Sequence, residues 1–100
     1  MLTSAVTLVT TTAVSTLSGN VTLTVSSKIR QLLNPNGTDR NVTLPLSPSF
    51  GLCFEIFNTG SLGVLILRDG NGSLLNCCGS DQFIKVLFDG SIWKIINAIC

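Results

Sequence analysis

Val64-Leu65-Ile66-Leu67-Arg68-Asp69-Gly70-Asn71-Gly72-Ser73-Leu74-Leu75-Asn76-Cys77 reads as a strand, a tight reversal and a returning strand. Val64 to Leu67 is an unbroken apolar run of strand length, which predicts burial on both faces. Asp69-Gly70 and Asn71-Gly72 are two successive type I′ hairpin signals, because Asn, Asp and Gly tolerate the positive φ that such turns need. Ser73 to Cys77 is the return. The same order recurs at the C-terminal end, where Gln82 to Phe88 leads through Asp89-Gly90 into Ile92 to Ile96.

Working outward, the pattern stays β. Leu52 to Phe57 alternates, with Leu52, Phe54 and Ile56 on one side and Cys53, Glu55 and Phe57 on the other. Asn41 to Leu44 is a strand that stops at Pro45, which cannot donate to a ladder. Ile29 to Leu33 is a short strand before the turn Asn34-Pro35-Asn36-Gly37. Val21 to Val25 alternates as a half-buried strand does. No stretch keeps a period of 3.6, and no internal repeat stands out. Eight or nine strands at intervals of about 8–12 residues predict an all-β fold, an antiparallel β-sandwich or small barrel of jelly-roll-like kind. Residues 1–18 form a Thr-rich N-terminal arm or first strand, and residues 19–100 the β-sandwich domain.

Composition then narrows function. Hydrophobic residues make up 45% of the chain and charged residues 11%, against about 25% charged in an average protein. A domain of this size buries only about two-thirds of the surface its unfolded chain exposes. Apolar surface is therefore left over, and association covers it. The net charge of +1 supplies no electrostatic footprint for nucleic acid. No segment reaches the roughly 18 continuous apolar residues of a membrane-spanning helix. The N-terminus lacks the basic start and apolar centre of a signal peptide, so the expected origin is the cytosol.

Catalytic chemistry finds little to work with. There is no histidine, so Ser, Thr and Cys lack the commonest base. Asp69 and Asp89 precede glycine in turns, where they bond local backbone. Asp39 sits in a turn, and Glu55 is the one acid within a strand. Cys53, Cys77, Cys78 and Cys100 admit three readings: partly buried thiols, one disulfide, or a four-thiolate metal site of unusual spacing. No metal and no cofactor is expected. Four Asn-x-Ser/Thr sequons occur, at Asn20, Asn36, Asn41 and Asn71. Trp93 could stack on a sugar, but Ile92, Ile95 and Ile96 around it favour a core position.

Val21 to Ile96 resembles a β-domain of tailed-bacteriophage virions, found in head decoration (cement) and head-fibre or tail-associated proteins. Arg40-Asn41-Val42-Thr43-Leu44-Pro45 carries the resemblance first, then Ser49-Phe50-Gly51 leading into Phe54-Glu55-Ile56-Phe57-Asn58. Val64 to Leu67 with Asp69 to Gly72 follows, and Asp89-Gly90-Ser91-Ile92-Trp93-Lys94 completes it. The ordered set covers roughly three-quarters of the chain. The resemblance implies a non-enzymatic virion subunit on the capsid exterior, a homotrimer whose other partner is the major capsid protein. Neither nucleic acid nor membrane is an expected partner. A fibre- or tail-associated module that binds a receptor or glycan, through Trp93 or Phe50, is the alternative. The low charge and four cysteines depart from the family pattern. Independently of the resemblance, surplus apolar surface on a small sheet protein is best covered by symmetric association. The expected contact residues are Val6, Leu8 and Val9 in the arm, and Trp93, Ile95, Ile96 and Ile99 at the C-terminal end.

Overall fold

The structure, a computed structural model, describes residues 12–48 and 51–99. Val6, Leu8 and Val9 lie outside them, as do Phe50 and Cys100. Nine strands and no helix are present among the described residues: β1 (Thr12–Thr16), β2 (Val21–Thr22), β3 (Arg30–Asn34), β4 (Arg40–Thr43), β5 (Cys53–Asn58), β6 (Leu65–Arg68), β7 (Leu74–Cys78), β8 (Phe83–Phe88) and β9 (Trp93–Ile99). They form a five-stranded sheet in the order β1-β3-β5-β8-β9 and a four-stranded sheet in the order β2-β4-β6-β7. Among the described residues neither sheet closes into a barrel.

The all-β, two-sheet architecture matches the sequence reading; the pairing does so only in part. From β1 to β6 the chain alternates between the sheets, so each strand pairs with the next strand but one. The pairs β1–β3, β3–β5, β2–β4 and β4–β6 are parallel. Only β5–β8, β6–β7 and β8–β9 are antiparallel, as was expected throughout. Parallel neighbours need a crossover of a dozen residues or more, and here the intervening strand in the opposite sheet provides it. The chain thus winds in stacked coils, and hairpins finish the stack.

The winding also contains a repeat that the residues do not advertise. Arg30 pairs with Glu55 and Arg40 with Leu65, the same step of 25 residues. The earlier coil is shorter, so Thr12 meets Arg30 and Val21 meets Val42. The repeated coil preserves backbone geometry but not residue identity.

Local chemistry explains where strands end. The strand expected over Val21 to Val25 stops after Thr22. The Thr24 N–H donates to Ser27 Oγ at 2.8 Å, and Ser27 N–H to Thr24 O at 3.0 Å, so a hydroxyl-closed turn competes with the ladder. At Asp69–Gly72 only Gly72 has positive φ, +88°. Its N–H donates to Asp69 O at 2.9 Å, which makes a wider loop than the expected type I′ turns. At Asp89–Ile92, Gly90 takes φ +102°, the positive first position of a tight hairpin turn.

The core lies between the sheets. Leu33, Phe54, Ile56, Ile84 and Val86 enter it from the five-stranded sheet, and Val42, Leu65, Leu67 and Cys78 from the other. Leu65 and Leu67 point inward while Ile66 is half-buried outside. The apolar run Val64 to Leu67 is therefore covered on one face, and burial on both is not what forms. Trp93 is 6% exposed. Its ring lies 5.4 Å from that of Phe88 and 6.0 Å from that of Phe54. Its indole N–H donates to Pro45 O at 3.1 Å, satisfying the one polar atom the ring carries.

Close stacking of the coil corners holds the turns of the winding together. A Cβ on Gly60 would stand 2.5 Å from Asn34 Oδ1 and 2.8 Å from Pro35 Cδ, and one on Gly70 2.5 Å from Leu46 Cα. A Cβ on Gly63 would lie 2.9 Å from Thr38 O. Asn58, 1% exposed, ties this end. Its amide donates to Gly63 O at 3.1 Å and to Cys78 O at 3.0 Å, and its Oδ1 accepts from Gly60 N–H at 2.9 Å.

Gly70→Ala is expected to lower unfolding stability by about 1–3 kcal/mol through overpacking. Gly19→Ala, with open space around the new methyl, stays within about 0.5 kcal/mol. Denaturant midpoints of both variants and the parent check the contrast.

Candidate interaction surface

The outer face of the five-stranded sheet carries two rows of side chains that cross the strands in register. Val14, Leu32, Phe57 and Phe83 are successive partners on β1, β3, β5 and β8. Phe57 and Phe83 stack with ring centroids 5.3 Å apart. Val14 is exposed; the other three are half-buried. The next row is Arg30, Glu55 and Lys85. Arg30 Nε donates to Glu55 Oε1 at 3.0 Å, and Lys85 Nζ lies 3.6 Å from Glu55 Oε2. These ion pairs are partly open to water and contribute little to stability. They do flank the apolar row with a charged border, and they occupy Glu55, the one strand acid.

At the edge of the same sheet, β9 is the longest strand. A bulge between Lys85 and Val86 lets it bend. Ile95 is 40% and Ile96 54% exposed, and Ile92 just before the strand is also exposed. Of the residues expected to make contacts, Ile95 and Ile96 are thus at the surface. Trp93 is in the core and presents no platform there. Ile99 ends β9, and its side chain lies outside the described residues. The row through Leu32 and Phe57 escaped sequence reading, because those residues lie 25 positions apart and meet only through the parallel winding.

Two concavities complete the surface. A shallow groove of about 490 Å³ runs over β6 and β7, lined by Ile66, Arg68, Leu74, Leu75 and Cys77 among others. A smaller cleft of about 90 Å³ lies beside Leu46, Asp69, Ser91 and Trp93.

Several of the polar side chains bridge one coil to the next. Asp39 Oδ1 accepts from Val64 N–H at 2.9 Å, one coil to the next. Two sequon asparagines form part of a ladder across coils. Asn20 Oδ1 accepts from Asn41 N–H at 2.8 Å, and Asn41 Oδ1 accepts from Arg68 Nε at 2.9 Å. The other two, Asn36 and Asn71, are exposed in turns. No group of three or more metal-ligating side chains occurs among the described residues. Among the described residues no helix is long and apolar enough to cross a membrane.

Asp69 and Asp89 play the same part in their turns. Asp69 Oδ1 accepts from Asn71 and Ser73 N–H, and Asp89 Oδ1 from Ser91 and Ile92 N–H, each at 2.9 Å. The Ile92 and Ser91 backbone donors hold the Asp89 carboxyl below its ordinary value of 3.8, with Lys94 adding a smaller pull. No protein family, no curated protein and no solved structure matches the chain.

A lowered folded-state value means that the Asp89 contribution is fully present above the ordinary carboxylate range. It is lost as pH falls through the folded value. A carboxyl-detected NMR titration is expected to place Asp89 below 3.8. Asp89→Ala should abolish that titration step and raise local amide exchange at Ser91 and Ile92.

Proposed function

We propose that the chain is a non-enzymatic structural subunit of a virion, a capsid decoration (cement) protein that self-associates as a homotrimer and binds the major capsid protein on the shell exterior. The observation that carries the reading is the placement of apolar residues outside the core. Val14, Leu62, Leu74, Ile92 and Ile96 are each more than half exposed, in a chain with 11% charged residues. The apolar side chains that adjoin one another on the surface are the in-register row Val14, Leu32, Phe57 and Phe83 on the outer sheet face, and an apolar row of this kind suits an interaction site. Among the described residues β9 is an edge strand paired only with β8 beside Ile95 and Ile96, the position in a sheet that receives another chain.

The sequence resemblance supplies the virion setting and the capsid partner. The chemistry supports a passive role: Asp39, Glu55, Asp69 and Asp89 and the sequon asparagines Asn20 and Asn41 bond to backbone or to neighbouring side chains within the fold. The absence of a basic groove argues against nucleic acid as partner. Repeated weak contacts across a symmetric shell then give firm attachment without a large interface per copy. The glycan-binding alternative gains nothing from Trp93, whose faces are taken up by Phe54 and Phe88.

Native mass spectrometry of the full chain at micromolar concentration is expected to show trimers, and the protein should add to expanded shells that lack it. Ile96→Asp is expected to weaken self-association about ten- to hundred-fold, the equivalent of one buried isoleucine. A monomeric parent that also fails to bind shells would overturn the proposal.

A further inference from the structure

The chain contains two Asn-Gly dipeptides, Asn36-Gly37 and Asn71-Gly72, both exposed in turns, and their backbones are held differently. We propose that Asn36 is a self-modifying site that converts to aspartate and isoaspartate in the folded protein, and that Asn71 is protected by its own turn. In this reaction the deprotonated Gly37 nitrogen attacks Asn36 Cγ. The new N–Cγ bond forms, the Cγ–Nδ2 bond breaks, and ammonia leaves carrying a proton equivalent to the one lost from Gly37. Water then opens the cyclic imide at either carbonyl. Opening on one side restores an ordinary aspartyl backbone; opening on the other routes the main chain through the side chain and lengthens it by one methylene. No enzyme and no cofactor is needed.

Access to the attacking nitrogen separates the two sites. Gly37 N–H has no hydrogen-bond acceptor among the described residues, and the space around the Gly37 Cα is open. Gly72 N–H donates to Asp69 O at 2.9 Å, and Asp69 Oδ1 holds the N–H groups of Asn71 and Ser73 at 2.9 Å each. Asn36 N–H likewise donates to Asn34 Oδ1 at 2.8 Å, so the sites differ in the bond on the attacking nitrogen and in the Ser73 bond: cyclisation at Asn71 must break the first and twist a turn that Asp69 fixes twice. Asn34, two residues before Asn36, is an internal control. It precedes Pro35, whose nitrogen carries no hydrogen and cannot form the imide.

The corner around Asn36 is where such a change has structural weight. Asp39 Oδ1 reaches Val64 N–H at 2.9 Å, Arg40 Nε reaches Pro35 O at 2.9 Å, and Thr38 backbone lies against Gly63. These contacts stack one coil corner on the next. An extra methylene in the chain between Asn34 and Asp39 shifts Thr38 and Asp39 relative to Gly63 and Val64, so isoaspartate at 36 loosens this corner. The aspartyl product adds a charge without lengthening the chain.

The test is to incubate the native full-length protein at mildly alkaline pH, digest with trypsin, and follow amide-to-acid conversion by mass spectrometry. The peptide from Gln31 to Arg40 reports Asn36 and Asn34 together. Asn36 is expected to convert roughly two- to ten-fold faster than Asn71, the rate equivalent of one net hydrogen bond. Asn34 stays intact. In the denatured, reduced chain the two Asn-Gly rates should converge. Equal native rates, or faster conversion at Asn71, would overturn the assignment. For the structural consequence, the isoaspartate-36 fraction should melt below fresh protein while Asn36→Asp melts with it. An isoaspartate fraction that melts with the parent refutes the loosening.

Discussion

The whole arrangement depends on how closely one coil corner can approach the next. Parallel strands in both sheets keep register only if the connections between sheets also stack, and here glycine backbone lies directly against the neighbouring corner. Gly60, Gly63 and Gly70 stand where any Cβ would strike Asn34, Pro35, Thr38 or Leu46. The matching 25-residue step in β3–β5 and β4–β6 is the register consequence of that contact. Asn58 secures the same end by donating to the carbonyls of Gly63 and Cys78.

That constraint also accounts for what the chain spends its few polar groups on. Asn20, Asn41 and Arg68 form a side-chain ladder across three coils, and Asp39 bridges to Val64. Polar side chains serve as spacers between turns of the winding. Apolar side chains fill the interior and then continue onto the outside, through Leu32, Phe57 and Phe83 on the broad sheet face and Ile95 and Ile96 on its edge. A chain built this way keeps little charge for its exterior, and the association proposed above rests on that surface.

Strand content was legible in the residues because it is written locally. Alternation at Cys53–Asn58, the stop at Pro45 and the reversals at Asp69–Gly72 and Asp89–Ile92 all appear where expected; Leu52 packs against the core just before the strand, and Asn58 adds a polar side chain to the same inward side. Pairing was not legible, because adjacent strands with short connections suggest hairpins, and nothing in one coil announces that its partner lies a full turn later. Leu32 and Phe57 show the difficulty: each is an ordinary strand residue, and only the crossover through the opposite sheet makes them neighbours. Trp93 followed its apolar surroundings into the core, while Ile95 and Ile96, read from the same stretch, stayed outside because the β9 edge has no covering layer among the described residues.

The mixture of pairings divides the molecule into halves that mature on different schedules. Closing β6–β7 or β8–β9 brings together residues only a few positions apart, whereas joining β1 to β3 or β3 to β5 requires loops of 18 to 25 residues to be drawn in. Loop-closure entropy rises with such separations, and high contact order slows folding. The hairpin end is therefore the natural nucleus, with coils added to it toward the N-terminus, against the direction of synthesis. Pulsed hydrogen exchange during refolding would read this sequence of events as early protection in β8 and β9 and late protection in β1.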